Sequence, residues 1–347
     1  MLLPGLGRPT PAGFIGLPWS ILLLVAPSGI VWFTSQVFTR TGLDQLPAHL
    51  EQEYGVTVSG AAELDVGVYR VARADGPDWV ARVFPAARPL SAAEGDAQVL
   101  RALAAGGFPA ERCPVESPVS VLDGQPVLVT EFVPGERPRG NGRTYAILGA
   151  LLGRLHARSG EALPPGGAWH HLALEGTPAG EMAAARKLLA ELRDQAVPSD
   201  KAGFAALEEA LETMAATTQG LPEAFVHPDF VPVNAIGGSD DLPTIVDWTN
   251  AGRGPRIWSL AFPLWAAGAR DLRLVDAFVS RYQRHVTLTD AELAALPAAI
   301  AARPLTMSIW SLAVGRGMVD KAVEDHEAIA QQAQEIASRA RRAFGTE

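Results

Sequence analysis

The sequence predicts an α+β protein of two lobes: a small antiparallel sheet with one helix, followed by a larger, mainly helical part. Short segments typical of strands are crowded into residues 55–133. After Pro134 and Gly135, apolar residues recur at helical spacing instead. We therefore predict an N-terminal lobe over residues 41–133 and a C-terminal lobe over residues 134–347, preceded by an apolar extension, residues 1–40.

The N-terminal lobe is predicted to contain five strands, with one helix inserted after the third. The strand candidates are residues 56–60, 66–74, 78–84, 119–122 and 126–133. A short helix over residues 42–54 precedes them, and the inserted helix covers residues 91–105. Ser91 and Glu94 have the spacing of a capping box at its start. Residues 59–65 are predicted to form a turn.

The C-terminal lobe is predicted to be a set of helices interrupted by one polar β hairpin. The helix candidates are residues 145–158, 179–195, 203–218, 255–267, 271–285, 290–302 and 305–344. Among the helical residues, His156 is predicted to be a packed core histidine rather than a ligand.

Composition limits the classes of function. The formal net charge of the 347-residue chain is −9, which argues against nucleic acid as the main partner, because such proteins carry a basic surface. The single cysteine, Cys113, excludes a disulfide framework and fits a reducing cytoplasm. We predict that Cys113 is a small buried residue and not a nucleophile.

The N-terminal extension allows three interpretations. Residues 14–38 are largely apolar and long enough to span a bilayer, although Pro18 and Pro27 interrupt them. The first interpretation is a disordered extension, which could result from a start codon assigned too early. The second is a membrane anchor, and the third is a cleaved signal peptide. A membrane is a partner only if residues 14–38 are an anchor, and even then the lobes are expected to face the cytoplasm.

The sequence HPDFVPVN, residues 227–234, carries the chemistry. His227 and Asp229 stand two residues apart, Asn234 follows after four more, and Asp247 lies at the end of the next strand candidate. Phosphoryl transfer needs an aspartate that orients the attacking hydroxyl, and an asparagine and a second aspartate that hold magnesium. The spacing agrees with the kinase pattern H-x-D-x4-N followed by an aspartate.

With these motifs, the chain resembles the aminoglycoside phosphotransferase and choline kinase-like family over residues 41–345. LGALLGRLH at residues 148–156 and LVTEFVPG at residues 128–135 are also similar to that family. The resemblance implies a protein kinase-like fold that binds ATP or GTP between its lobes. It also implies Mg²⁺ as cofactor and transfer of the γ-phosphate to a hydroxyl of a small molecule.

The resemblance also assigns roles in the catalytic loop. Asp229 corresponds to the catalytic base, and His227 to the residue that braces the loop. Asn234 and Asp247 correspond to the magnesium ligands. Ser259 stands where an acid is common in the family, a difference that bears on loop support more than on the metal.

The nucleotide side of the site departs from the family pattern. The backbone of Glu131 and Val133 is implied to meet the nucleobase, and residues 59–65 to cover the phosphates. In the family a lysine on the third strand binds the phosphates. This chain has no lysine before Lys187, and Arg82 stands at the corresponding position. Arginine is always charged but binds phosphate as a planar fork. Asp96, which shares the apolar face of its helix, is the preferred partner of Arg82.

Other functions fit parts of this pattern. A catalytically degenerate pseudokinase would bind nucleotide without turnover. A metal hydrolase would use His227, Asp229 and Asp247 as ligands, but it leaves the sheet lobe unexplained. The sequence does not decide the acceptor substrate. A cationic acceptor such as an aminoglycoside or choline would need acidic side chains around it, and the candidates are Glu175, Glu181 and Asp271. A metabolic alcohol fits the sequence equally well.

Overall fold

The computed structural model describes residues 40–158, 178–237, 242–249, 251–313 and 317–345. The predicted extension, apart from Arg40, lies outside these residues. Within them the predicted α+β class is confirmed: a five-stranded antiparallel sheet is followed by a mainly helical part.

The strands form one larger sheet and two small ladders. The sheet has the order β1-β2-β3-β5-β4, and the ladders pair β6 with β9 and β7 with β8. The strands are β1 Val58–Asp65, β2 Val68–Arg73, β3 Trp79–Val83, β4 Val119–Leu122, β5 Gln125–Glu131, β6 Glu223–Val226, β7 Ala235–Ile236, β8 Thr244–Ile245 and β9 Gly252–Pro255.

The helices account for most of the second lobe. They are α1 Leu46–Tyr54, α2 Leu90–Ala105, α3 Gly142–Ala157, α4 Pro178–Gln195, α5 Lys201–Thr218, α6 Arg256–Gly268, α7 Leu272–Tyr282, α8 Asp290–Ala313 and α9 Val319–Phe344. Short 3-10 turns precede α1 at Leu43–Gln45 and β7 at Pro232–Asn234.

Two predictions about local structure in the N-terminal lobe were wrong. Residues 59–65 form most of β1 rather than a turn, and Gly60 lies at a register shift of the β1–β2 pair. Glycine is common both in turns and at irregularities within a strand, and Gly60 is of the second kind. The capping box is also absent, because α2 has Pro89 at its N-cap with no side-chain cap bond.

Glycines set the distance between α3 and α7. A Cβ atom on Gly149 would lie 2.1 Å from the carbonyl oxygen of Phe278, and one on Gly153 would lie 2.9 Å from that of Tyr282. Only residues without a side chain allow the two backbones to approach this closely. His156 follows on the same helix, fully packed, with Nδ1 2.8 Å from the Tyr282 hydroxyl. Its predicted core role is confirmed.

Helix α8 runs through two prolines, where the sequence predicted a break near residue 303. Pro297 cannot donate to the carbonyl of Leu293, and the guanidinium of Arg341 donates to that carbonyl at 2.8 and 3.0 Å instead. The Thr306 hydroxyl donates to the Arg303 carbonyl beside Pro304. The Arg341 guanidinium therefore replaces the donor that is lost at Pro297.

Helix α8 is also the one helix among the described residues with the length and composition of a membrane span. Of its apolar window, 61% is buried inside the protein. Leu293, Leu296, Ile300, Leu305 and Ile309 belong to the large hydrophobic core, so α8 has the packing of a core helix.

Candidate active site

The catalytic-loop candidate, residues 227–234, leaves β6 directly beside α6. The Ser259 hydroxyl, on α6, accepts the backbone N–H of His227 at 3.1 Å and lies 2.9 Å from its carbonyl, to which it donates. Both backbone groups of His227 are thus satisfied by one buried side chain. Ser259 ties the start of the loop to the helical lobe.

His227 connects this loop to the segment after β8. Its Nδ1 accepts the backbone N–H of Asp229 at 3.1 Å, so the ring proton must lie on Nε2, which is 3.3 Å from the Val246 carbonyl. Burial lowers the pKa of His227, against the opposing charges of Asp247 and Asp229. The ring is therefore a neutral structural brace, packed edge-on against Trp248.

Asn234 closes the same loop. Its side-chain NH2 group donates to the carbonyl of Asp229 at 3.0 Å, a bond that does not use the amide oxygen, which is an acceptor. The Asn234 carbonyl accepts the N–H of Val246 at 2.9 Å. Asn234 is therefore bonded through its backbone to Val246, the residue that precedes Asp247.

Asp247 is one of two non-glycine residues in the described chain with positive φ, at 69°. Such a backbone is uncommon away from glycine and has to be held by its surroundings. The buried carboxylate of Glu111 accepts the N–H groups of Asp247 at 2.8 Å and of Trp248 at 3.3 Å, and also the Thr130 hydroxyl at 3.0 Å. Sequence reasoning missed Glu111, a single acid in a loop.

Arg82, on β3 of the sheet lobe, contacts a residue that follows β8 in the helical lobe. Its Nη1 is 3.0 Å from Oδ1 of Asp247, and the Thr249 hydroxyl donates to the same oxygen. Burial lowers the pKa of Arg82, but the charges of Asp247, Glu111 and Asp96 outweigh it and raise the pKa above its ordinary value. Arg82, which is predicted to bind phosphate, thus lies beside Asp247, which is predicted to bind the metal.

Asp96 faces inward, as predicted, and is fully buried on α2. The ion pair that the structure gives it is with Arg88, whereas the ion pair of Arg82 is with Asp247. The predicted direct pair of Arg82 with Asp96 is therefore replaced by these two pairs. Asp96 acts on Arg82 through its charge. Arg88 could not be predicted, since it stands in the loop before α2.

Glu131 and Val133 lie where the sheet joins the helical lobe, at the end of β5 and two residues beyond it. The N–H of Glu131 donates to the Arg112 carbonyl at 2.8 Å. The N–H of Glu131 is therefore already used within the sheet lobe. Val133 is half-buried.

Asp229 has a partner that the sequence did not predict. Arg303 of α8 donates from Nη2 to both carboxylate oxygens, at 2.8 and 2.9 Å, and from Nε to Oδ1 at 3.1 Å. The guanidinium also lies 5.6 Å from the ring centre of Phe262. The sequence predicts helices that end at residue 302 and begin at residue 305, so Arg303 lies between them there, whereas in the structure it lies within α8.

The structure also bears on the alternatives. Among the described residues, no three His, Cys, Asp or Glu side chains are grouped as a metal cluster, which argues against the hydrolase built on His227, Asp229 and Asp247. Burial raises the pKa of the Cys113 thiol to about 11, so this thiol is not an activated nucleophile. Asp271 caps α7 and pairs with Arg273, and Glu175 lies outside the described residues.

Sequence comparison decides the family. The model of the Phosphotransferase enzyme family matches residues 59–296, more than half of the chain. The chain belongs to this family. A Deinococcus radiodurans protein is 32% identical over 184 residues, which cover 50% of this chain and 51% of the relative. The chain thus spans about half the length of that curated relative.

Several solved structures have the same architecture. An aminoglycoside phosphotransferase of Alicyclobacillus acidocaldarius superposes with a TM-score of 0.58 at 16% identity, over 89% of this chain and 98% of that one. An amicoumacin kinase in complex with AMP-PNP, Ca²⁺ and Ami gives 0.59 at 17%, over 89% and 92%. A choline kinase of Streptococcus pneumoniae gives 0.57 at 14%, over 84% and 98%. The predicted two-lobed kinase-like fold is confirmed.

Proposed function

We propose that this phosphotransferase-family protein transfers the γ-phosphate of ATP or GTP to a hydroxyl of a small molecule, with Mg²⁺ as cofactor. The observation that carries the proposal is the 3.0 Å contact between Arg82 and Asp247 across the cleft. A phosphate-binding cation on the sheet lobe and a metal-binding acid on the helical lobe meet where a nucleotide polyphosphate would lie.

The donor set at this position suits magnesium. Asp247 offers a carboxylate, and Asn234 offers the amide oxygen, which its bond to the Asp229 carbonyl does not use. Hard cations such as Mg²⁺ prefer oxygen ligands of this kind and usually keep phosphate and water as the others. When bound, the ion neutralises charge on the phosphates during transfer.

The residues of the chain do the remaining work. The hydroxyl oxygen of the acceptor forms a bond to the γ-phosphorus while Asp229 accepts the hydroxyl proton. The bond between the γ-phosphorus and the bridging oxygen of the β-phosphate breaks, and the nucleoside diphosphate leaves. Arg82 exchanges its contact with Asp247 for the phosphates of the nucleotide. His227 and Ser259 keep the loop fixed, so that Asp229 needs no rearrangement of its backbone.

The nucleobase would lie against the backbone of Val133 and the carbonyl of Glu131, and Asp96 would support Arg82 through its charge. The acceptor would approach Asp229 from the helical lobe. We place the protein in the cytoplasm, where nucleotide and Mg²⁺ are available. The solved relatives include aminoglycoside and choline kinases, but their identities below 25% carry no acceptor over to this chain.

The test is a thermal-shift titration of the full chain with ATP and with GTP, each with and without Mg²⁺. Nucleotide at a hundredfold excess over Kd adds about 2.7 kcal/mol to the free energy of unfolding, a shift of several degrees. Asp247→Asn is the matched loss-of-site variant, since asparagine tolerates positive φ. The control is Asp276→Asn, which changes an ion pair between α7 and α9.

A shift that requires Mg²⁺, persists in the control and disappears in Asp247→Asn supports the proposal. Binding without any turnover toward an acceptor panel would instead favour the pseudokinase. If neither nucleotide changes the melting temperature of the wild type, the phosphotransferase proposal fails.

A further inference from the structure

The pair of Asp229 with Arg303 has consequences for the acceptor. Three donor contacts at 2.8 to 3.1 Å place a guanidinium fork across both oxygens of the carboxylate proposed as the base. The side chains remain partly accessible, 12% for Arg303 and 28% for Asp229. The pair is therefore open to solvent rather than sealed in the core.

The arginine is held in this position from more than one direction. Its backbone belongs to α8, next to Pro304, where the Thr306 hydroxyl donates to the Arg303 carbonyl at 3.0 Å. The face of Phe262, itself stacked on Trp265, lies 5.6 Å from the guanidinium carbon. An aromatic face favours a cation. The fork is thus directed at Asp229 by the surrounding fold.

A guanidinium in this place competes with an acceptor. The fork occupies the carboxylate oxygens to which an acceptor hydroxyl would donate. Arginine stays protonated at every accessible pH, so loss of its own proton cannot release Asp229. An incoming molecule that draws the guanidinium away frees these acceptor positions on Asp229.

The second ion pair of the site suggests how such an exchange works. Arg82 contacts Asp247 through a single Nη1–Oδ1 pair at 3.0 Å. An incoming polyphosphate would supply the negative charge that draws Arg82 from Asp247. An acceptor able to do the same to Arg303 needs an oxyanion. A polycationic acceptor would place further positive charge beside the fork and would leave it on Asp229.

We propose that Arg303 is a specificity-determining residue of the acceptor site, which selects a small alcohol carrying an oxyanion near the reacting hydroxyl. Until that oxyanion arrives, Arg303 holds Asp229 and suppresses attack of water on the bound nucleotide. The inference rests on the proposed phosphotransferase function and narrows its acceptor class.

The experiment compares the full-length wild type with Arg303→Gln, Arg303→Lys and the double variant Arg303→Gln/Asp229→Asn. Arg339→Gln is the matched control, because Arg339 forms another forked pair with an aspartate, Asp276, between α7 and α9. The first readout is hydrolysis of Mg-ATP by water. The second is ADP release with three probes on one hexose ring: glucuronate, glucose and glucosamine.

The proposal predicts that Arg303→Gln hydrolyses Mg-ATP about tenfold faster than the wild type and that the double variant loses this gain. The wild type should use glucuronate at least tenfold better than glucosamine, with Arg303→Gln losing the preference through KM. Arg303→Lys should keep part of the preference, and Arg339→Gln should behave like the wild type. Thermal shift with Mg-ATP reports in parallel whether each variant folds and binds nucleotide.

Two results would overturn the assignment of Arg303 while leaving the phosphotransferase function standing. One is unchanged or slower hydrolysis in an Arg303→Gln variant that still binds Mg-ATP. The other is a wild type that uses glucuronate no better than glucosamine. Absence of any Mg-ATP shift in the wild type would instead remove the proposed function, and the acceptor inference with it.

Discussion

The buried carboxylate of Glu111 accepts the backbone N–H of Asp247 at 2.8 Å, across 136 residues of sequence. The same side chain accepts from Trp248 and from the Thr130 hydroxyl on β5. One acid therefore joins the sheet lobe to the loop of the proposed metal ligand. It also holds Asp247 in a backbone conformation that a non-glycine residue seldom adopts.

Replacement of Glu111 should uncouple Asp247 from the sheet. Glu111→Ala leaves two buried amides and a hydroxyl without their acceptor, at a cost of about 1–3 kcal/mol for each group that finds no water. Glu111→Gln keeps one acceptor oxygen and should lose less stability. Urea denaturation measures the loss, and the Mg²⁺ concentration for half-maximal activity should rise in both variants.

Glu116→Gln is the control, because Glu116 is an exposed acid in the same loop. Equal stability of Glu111→Ala and the control would show that the Glu111 contacts contribute nothing to the fold. An unchanged Mg²⁺ requirement in Glu111→Gln would separate this residue from the metal site.

Loss of the Arg82 side chain should act on nucleotide binding much more than on folding. The Asp247 side chain is 38% exposed, so it stays solvated without its partner and little stability should be lost. A charge-assisted phosphate contact is worth about 1.5–3 kcal/mol, which corresponds to an approximately ten- to hundredfold higher Kd for Mg-ATP in Arg82→Met. Isothermal titration calorimetry measures this Kd.

Two further variants make the comparison specific. Arg82→Lys keeps the charge but not the fork, and its Kd should lie between those of the wild type and Arg82→Met. Arg70→Met removes an exposed arginine from the adjacent strand β2, where it pairs with Asp78, and should bind Mg-ATP normally. Equal binding by all four proteins would exclude Arg82 from the nucleotide site.

The sequence was most informative where a local pattern covered a whole element or motif, although the predicted turn at residues 59–65 and the predicted capping box were wrong. Strand periodicity and glycine turns predicted five strands and one inserted helix, and the spacing of His227, Asp229 and Asn234 lies within one loop. Asp247 follows on the next strand. Such patterns depend on neighbouring residues and are visible without the fold.

The parts that sequence reasoning missed are contacts between distant residues. Arg303 reaches Asp229 across 74 residues, and Glu111 reaches Asp247 across 136. No periodicity marks either of them. Pro304 made Arg303 harder to place, because a proline usually ends a helix, whereas α8 continues through Pro304 to Ala313.

Close packing of α3 on α7 should make Gly149 intolerant of any side chain. Its added Cβ would lie 2.1 Å from the Phe278 carbonyl oxygen, so Gly149→Ala must separate two helix backbones. Overpacking of this kind costs about 1–3 kcal/mol or more, despite the better helix propensity of alanine. Gly142→Ala, in the same helix with its nearest neighbour atom at 3.9 Å, is the control. The two melting temperatures should differ by several degrees, and equal values would contradict the packing argument.

Acidification should destabilise the protein through its buried histidines. Burial lowers the pKa of His156 to about 3, and it lowers that of His227 as well. The unfolded chain takes up a proton near pH 6.5 while the folded chain does not, so stability is complete above this pH and falls as the pH decreases towards 3. At pH 5, His156 alone should lower the free energy of unfolding by about 2 kcal/mol relative to pH 7.

Urea denaturation between pH 7 and pH 5 should therefore show a smaller decrease in the free energy of unfolding for His156→Phe than for the wild type. Tyr282→Phe removes the 2.8 Å contact but leaves the buried ring, so it should lower stability equally at both pH values. Identical slopes for the wild type and His156→Phe would exclude His156 as the titrating group.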